Sequence, residues 1–311
     1  MPNRTISLPL ARPSRAGRLG GPAPILVSAV LWGTTGTAAS LAPAGAPAAA
    51  IGCAGLTLGG LLLFLISPGA RSLPAACTRG ERWLLVLGAL AVAGYPVTFY
   101  PAVARTGVAV ATVIALGSAP VFAGLLSWLT GGARPTARRA AATGAAVLGC
   151  ALLVLGPELT GTATPMDLTG VALATGGGLS YAVYSLIGGR LITHGHPSDA
   201  VMGVLFGTAG LLVLPLLGYV DTHWLTTSRG AAVTAYLALF TVCLAYRLFG
   251  HGLRHTSASM ATTLTLAEPA VAAVLGVTLL GEHLTTASWC GLAVLGTGLV
   301  LLTVRPADAE G

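Results

Sequence analysis

The sequence predicts an all-α membrane protein whose ten transmembrane helices form two inverted five-helix repeats. Three observations carry that prediction. Of 311 residues, 54% are hydrophobic and only 8% are charged, where a soluble globular chain carries about 25% charged residues. Apolar blocks near the roughly 20 residues that span a bilayer recur along the chain. The second half also repeats residues of the first at a nearly constant offset.

Residues 1–22 form a polar tail carrying Arg4, Arg12, Arg15 and Arg18, expected to be disordered. The apolar run after it, followed by Ala-Pro-Ala-Gly-Ala, resembles a cleaved signal peptide. The internal repeat argues against cleavage, because it uses this run as its first helix. Apolar blocks then fall at 24–42, 47–67, 83–104, 108–130 and 140–157, making a first repeat over 23–157. Those at 168–190, 199–219, 230–251, 258–280 and 287–304 make a second over 166–304, and 305–311 remain as a tail.

Arginine placement tests this count independently. With the N-terminus inside, the cytoplasmic segments hold the four tail arginines, Arg71, Arg79, Arg82, Arg134, Arg138, Arg139, Arg190, Arg254 and Arg305, while the outer segments hold only Arg105 and Arg229. That is a positive-inside bias, and it puts both termini on the cytoplasmic side of the cell membrane. The net charge of +7 does not indicate nucleic acid, since the arginines are dispersed between apolar blocks. All 16 basic residues are arginine, which reads as codon bias in a GC-rich genome. Trp83, Trp128, Trp224 and Trp289 fall at helix ends, as interface residues do; Trp32 falls mid-helix.

The repeat is read from residues that coincide without gaps. A shift of 149 positions places Pro120 on Pro269, Gly132 on Gly281, Thr136 on Thr285, Arg105 on Arg254, Tyr100 on Phe249 and Trp32 on Tyr181. Near the ends, Gly-Ala-Ala-Val-Leu-Gly (144–149) matches Gly-Leu-Ala-Val-Leu-Gly (291–296) at a shift of 147. An odd number of helices per half inverts the second half, the architecture of many secondary transporters, with a binding site near the midplane between halves.

These residues resemble the drug/metabolite transporter superfamily, specifically its EamA-type ten-helix members, over about 24–304. The carriers are Leu-Trp-Gly (31–33), Phe-Tyr-Pro-Ala-Val-Ala-Arg-Thr (99–106), Ala-Pro-Val-Phe (119–122), Leu-Ser-Tyr-Ala-Val-Tyr (179–184), Leu-Arg-His-Thr-Ser-Ala (253–258), Ala-Glu-Pro-Ala-Val (267–271) and Leu-Gly-Glu-His-Leu-Thr (280–285). Two departures stand out. The glutamate of the family's Gly-Glu-Arg-Leu pattern persists as Glu282 but is Ala133 in the first half, and the arginine often found in the second helix is absent from 51–59. Glu282 lies at a helix end, where a structural role is expected.

Glu268 is the leading site residue. At 1.5 Å per residue it lies about 16 Å into a roughly 30 Å core. It is either a cation, proton or substrate-amine site, or a neutral carboxyl hydrogen-bonded to Thr265 or a neighbouring helix. Pro269 frees the carbonyl of Thr265, which must find another donor. Pro120 repeats Pro269, so both are candidate gating kinks, while Ala119 stands where Glu268 does. Trp32 and Tyr181 either face each other across a cavity and stack on substrate or pack between helices. Tyr95, Tyr100 and Tyr184 are further cavity candidates. Arg247, about 10 Å below the cytoplasmic surface, either snorkels or reaches Glu268 or an anionic substrate group. Gly55 and Gly59 read as helix-packing residues.

No catalytic constellation is present. His194 and His196 have no carboxylate or cysteine at ligand spacing in the sequence and read as solvent-exposed, and the five cysteines lack metal spacing. No cofactor and no metal site are therefore expected. Without a phosphate-binding Gly-x-x-x-x-Gly-Lys loop the chain is not itself an ATPase. The reading is a secondary transporter exporting or exchanging a small organic metabolite or drug, with protons as a candidate coupling ion and the lipid bilayer as its other partner. The alternatives are a carrier of a lipid or nucleotide-sugar-like anion, and a non-transporting membrane scaffold.

Overall fold

A computed structural model describes residues 20–132, 136–155, 167–279 and 283–303, and every regular element in them is helical. Most of both tails, together with Ala133, Arg134 and Glu282, lies outside the described residues. The first half runs α1 (Pro22–Gly33), α2 (Thr35–Ser40), α3 (Ala48–Ile66), the short α4 (Leu73–Ala76), α5 (Arg79–Leu129) and α6 (Ala137–Leu155). The second half begins with α7 (Leu168–Thr193) and α8 (Ser198–Val213), which tightens into a 3-10 turn at Leu214–Tyr219. It continues with α9 (Ser228–Tyr236), a π-helical stretch (Leu237–Leu244) and α10 (Ala245–Leu253), then α11 (Ala258–Leu264), α12 (Ala267–Leu279) and α13 (Thr286–Thr303).

Eight of these runs are long and apolar enough to cross a membrane by length and composition. The 51-residue α5 is about twice the length one crossing needs. It bends at Gly107, whose φ of +82° and ψ of 161° suit a residue with no Cβ. Large apolar side chains such as Leu65, Val121, Leu129 and Leu279 point outward, as expected where lipid rather than water surrounds the chain. Trp83, Trp128 and Trp289 are exposed at helix ends. Trp224 differs: it is buried against Ala50, Ile51 and Val233, and its indole N–H donates to the carbonyl of Asp221.

Helix starts are set by short polar side chains. Thr78 and Glu81 form a capping box on α5, while Asp167, Thr227 and Ser257 accept from backbone N–H groups two or three residues into α7, α9 and α11. Asp167 also pairs with Arg105 at 3.2 Å, joining the two halves. The Gly170 N–H, and then Arg105, hold the Asp167 carboxyl below its ordinary value. A depressed folded value means that its contribution is complete above the unfolded aspartate range and disappears as pH falls through the folded one. Asp167→Ala is therefore expected to lower the melting temperature slightly at neutral pH, and the difference from wild type should vanish in strong acid.

The helix ends gather on two faces. Gly21 approaches Thr256, Ser67 approaches Gly203, and Glu81 approaches His194, so the loops around 67–82, 190–198 and 254–257 share one face with the start of α1. Ala42, Ala46 and Ile51 pack with Trp224 on the other, which also carries the Arg105–Asp167 pair. Between the halves, α6 and α13 lie close: a Cβ on Gly291 would collide with the backbone of Leu153 and Gly149, and one on Gly149 with the backbone of Leu295. The two matching Gly-x-Ala-Val-Leu-Gly stretches thus meet each other.

Candidate functional site

The site begins at the break between α11 and α12. Pro269 has no N–H to give the carbonyl of Thr265, and the helix stops at Leu264 and restarts at Ala267. The freed carbonyl accepts from the backbone N–H of Glu268 at 2.9 Å, so the tight turn repairs locally what proline removes. Its consequence is electrostatic. Glu268 falls in the first turn of α12, where unpaired N–H groups and the helix dipole favour a negative side chain. Pro120 behaves differently: α5 continues through it with helical backbone geometry.

Glu268 lines a cavity of about 230 Å³ bounded by α1, α2, α3 and α5 of the first half and by α7, α8, the π-helical stretch, α10 and α12 of the second. Trp32, Tyr95, Tyr100, Tyr181 and Tyr184 line it too. Among the described residues none hydrogen-bonds or ion-pairs with the Glu268 carboxyl group, and Glu268 is the acidic residue among those lining the cavity. Thr35, Ile51, Tyr100 and Thr112 carry the cavity from the bundle's middle toward the face that bears the Arg105–Asp167 pair.

The aromatic wall is fixed by hydrogen bonds. Trp32 donates its indole N–H to the carbonyl of Thr241 at 2.8 Å. That carbonyl lies in the π-helical stretch, where the i→i+5 pattern changes the backbone pairing of an ordinary helix. Tyr181 donates to the Thr265 hydroxyl at 2.7 Å, and that hydroxyl donates on to the carbonyl of Thr262. The repeat-related Trp32 and Tyr181 meet edge to face, with ring centres 6.4 Å apart. Tyr184 and Tyr246 place their hydroxyls 3.3 Å apart. A carboxyl group that can ionise, beside electron-rich ring faces, is chemistry suited to an organic ammonium or a proton.

Six of the seven residues singled out for substrate contact thus line one cavity. Arg247 does not: it forms an ion pair with Asp199 at 2.9 Å and lines a separate recess with Pro68, His251 and Arg254 at the opposite face. Neither Glu268 nor the cavity has it as a neighbour, because Asp199, in the first turn of α8, captures the guanidinium first. Pro120 lines a third, mostly apolar cleft of about 690 Å³ with Met260 and Arg139 rather than the central cavity. Sequence reasoning missed Tyr246, Phe206 and Thr241 as lining residues. Tyr246 stands one residue before Arg247 and three before Phe249, the repeat equivalent of Tyr100, which was the available signal. Arg247→Ala is expected to leave substrate affinity within about twofold of wild type while lowering stability, since the partner lost is a surface ion pair; a binding titration beside a melting curve checks both.

The profile of the EamA-like transporter family matches the chain twice, over residues 21–155 and 168–304. The chain is 39% identical to the uncharacterized transporter YwfM of Bacillus subtilis over 91% of its own length and 93% of that protein. It is 34% identical to the threonine/homoserine exporter RhtA of Escherichia coli over 160 residues, 50% of this chain and 51% of RhtA. A solved crystal structure superposes with a TM-score of 0.74, covering 93% of this chain and 96% of the other at 20% identity, a likeness of fold.

Proposed function

From the premise that the chain belongs to the EamA-like transporter family, we propose that this membrane transporter exports or exchanges a small amine-bearing organic solute by alternating access. One observation carries the reading: an acidic side chain, Glu268, without a polar partner among the described residues, stands among aromatic rings in a cavity lined by both halves. A cavity of about 230 Å³ is smaller than the roughly 300–1,000 Å³ of sites for drug-sized ligands, which favours a metabolite over a large drug. RhtA, which exports threonine and homoserine, is a relative over half its length, and both of those solutes carry an ammonium group.

In this reading ten crossings form two inverted five-helix repeats, with α1 and α2 together making the first and Gly107 dividing α5 into two. Both termini lie in the cytoplasm at the cell membrane, a side supported by the arginine distribution. The cavity then extends toward the outer face, and protons compete with substrate for Glu268. Pro269, rather than Pro120, is the gating element, since α5 runs through Pro120 unbroken. A carrier of nucleotide-sugar-like or lipid anions needs cations in its cavity, and the described lining residues include neither arginine nor histidine. A scaffold has no use for a carboxylate facing a shared interior.

Reconstituted protein tests this directly. Proteoliposomes given radiolabelled threonine, homoserine, aliphatic amines, sugars or nucleotide sugars, with and without a pH gradient, are expected to move the amine-bearing solutes at least about tenfold faster than the others. Preferential movement of nucleotide sugars, or of nothing, overturns the proposal.

A further inference from the structure

On the face opposite the cavity mouth, metal-ligating side chains from two distant stretches of sequence converge: Cys77, Glu81 and His196 together, with His194 beside Glu81. α7 ends in a Schellman motif: the Gly195 N–H donates to the carbonyl of Ile192 and the His196 N–H to that of Leu191, with Gly195 at φ +102°. This turn directs both His194 and His196 toward the start of α5. There the capping box occupies only one oxygen of Glu81, with Thr78 donating to Oε2. The other oxygen, Oε1, lies 3.4 Å from His194 Nδ1 and 3.3 Å from His196 Nε2, and Cys77 Sγ lies 3.8 Å from His196 Nε2.

We propose that Cys77, Glu81 and His196 form a transition-metal site of the zinc class that ties the two halves together, its fourth position taken by water or by the neighbouring His194. The spacings fit. A tetrahedral zinc with Zn–N near 2.0–2.1 Å and Zn–S near 2.3 Å separates N and O donors by about 3.3 Å, and S and N donors by about 3.6 Å. The ligand atoms of Cys77, Glu81 and His196 all fall within 4.8 Å of one another. A thiolate with imidazoles selects zinc-like ions over magnesium or calcium. Cys77 is buried, whereas the His194 side chain is 49% exposed, so an ion has a route from solvent. Cys77 binds as the thiolate and its proton passes to water. The nearby positive group is Arg82, whose guanidinium is held on the carbonyls of Cys77 and Ala75, leaving the donors clear.

The site joins the α4–α5 connection of the first half to the α7–α8 connection of the second. If the halves rock as proposed above, a bound ion holds this face shut. Tag-free protein carrying Cys290→Ser, which removes the exposed thiol, is titrated with Co2+. One equivalent should bind with a tetrahedral spectrum and a thiolate charge-transfer band, both erased by Zn2+. Cys77→Ser should remove the charge-transfer band, and His196→Ala should weaken binding at least tenfold; both residues help close helix ends, but only through their backbone N–H groups, which the substitutions keep, so the fold persists. An octahedral spectrum, or a thiolate band surviving Cys77→Ser, overturns the site. Zn2+ on this face should slow flux several-fold in the parent protein and not in His196→Ala; binding without any effect on flux overturns the clamp, and protein that binds but never transports overturns the proposed function alone.

Discussion

Glu268→Gln is expected to abolish pH-driven solute movement in proteoliposomes while leaving the protein folded. Glutamine keeps the shape of glutamate and its capacity to hydrogen-bond, but it neither carries charge nor exchanges a proton. Glu268 is only partly buried, and no described residue pairs with its carboxylate, so its loss leaves no orphaned partner within the protein. A hydrogen bond to a charged group contributes about 1.5–3 kcal/mol, and 1.4 kcal/mol is tenfold in affinity. Affinity for an amine-bearing solute should therefore fall about 10–100-fold, with the melting temperature unchanged. Substrate binding measured at several pH values separates the roles of the carboxylate. If the variant binds as tightly as wild type and still accumulates solute against a pH gradient, Glu268 is neither the amine anchor nor the proton site.

How much of this was legible in the sequence follows the range of the interactions involved. Glu268 beside Pro269 is a local oddity in an apolar run, and both its depth and the need to re-satisfy Thr265 were calculable from helix geometry. Trp32 and Tyr181 were marked by the repeat. The π-helical stretch carries no such mark: Leu-Ala-Leu-Phe-Thr-Val-Cys-Leu reads as ordinary apolar helix, and only the packed bundle reveals that Thr241 receives Trp32. Arg247 was read by depth alone, which fixes height in the membrane but not direction around the helix; Asp199 supplied the direction. The His-Gly-His turn was read as solvent-exposed because its carboxylate and thiol lie 113 and 119 residues away. Pairings over that distance are products of topology, and no local spacing announces them.

Gly291→Leu should have the largest effect on the fold itself. In lipid, helices associate through close packing rather than through hydrophobic expulsion from water, so small residues let backbones touch. Gly291 and Gly149 do this reciprocally, and the atoms that a new side chain meets belong to the backbone of α6, including the Gly149 carbonyl oxygen at 2.8 Å. Backbone in a helix cannot step aside as a flexible side chain can, so α6 and α13 must separate along their length. Overpacking of a tight core costs about 1–3 kcal/mol and occasionally more, and a leucine against backbone belongs at or above the top of that range. The variant should be recovered from detergent in low yield, aggregate on size exclusion, and melt well below wild type. Gly296, five residues along the same helix, has open space where its Cβ would stand, so Gly296→Leu should be tolerated. Equal behaviour of the two variants would mean that α6 and α13 do not meet through these glycines.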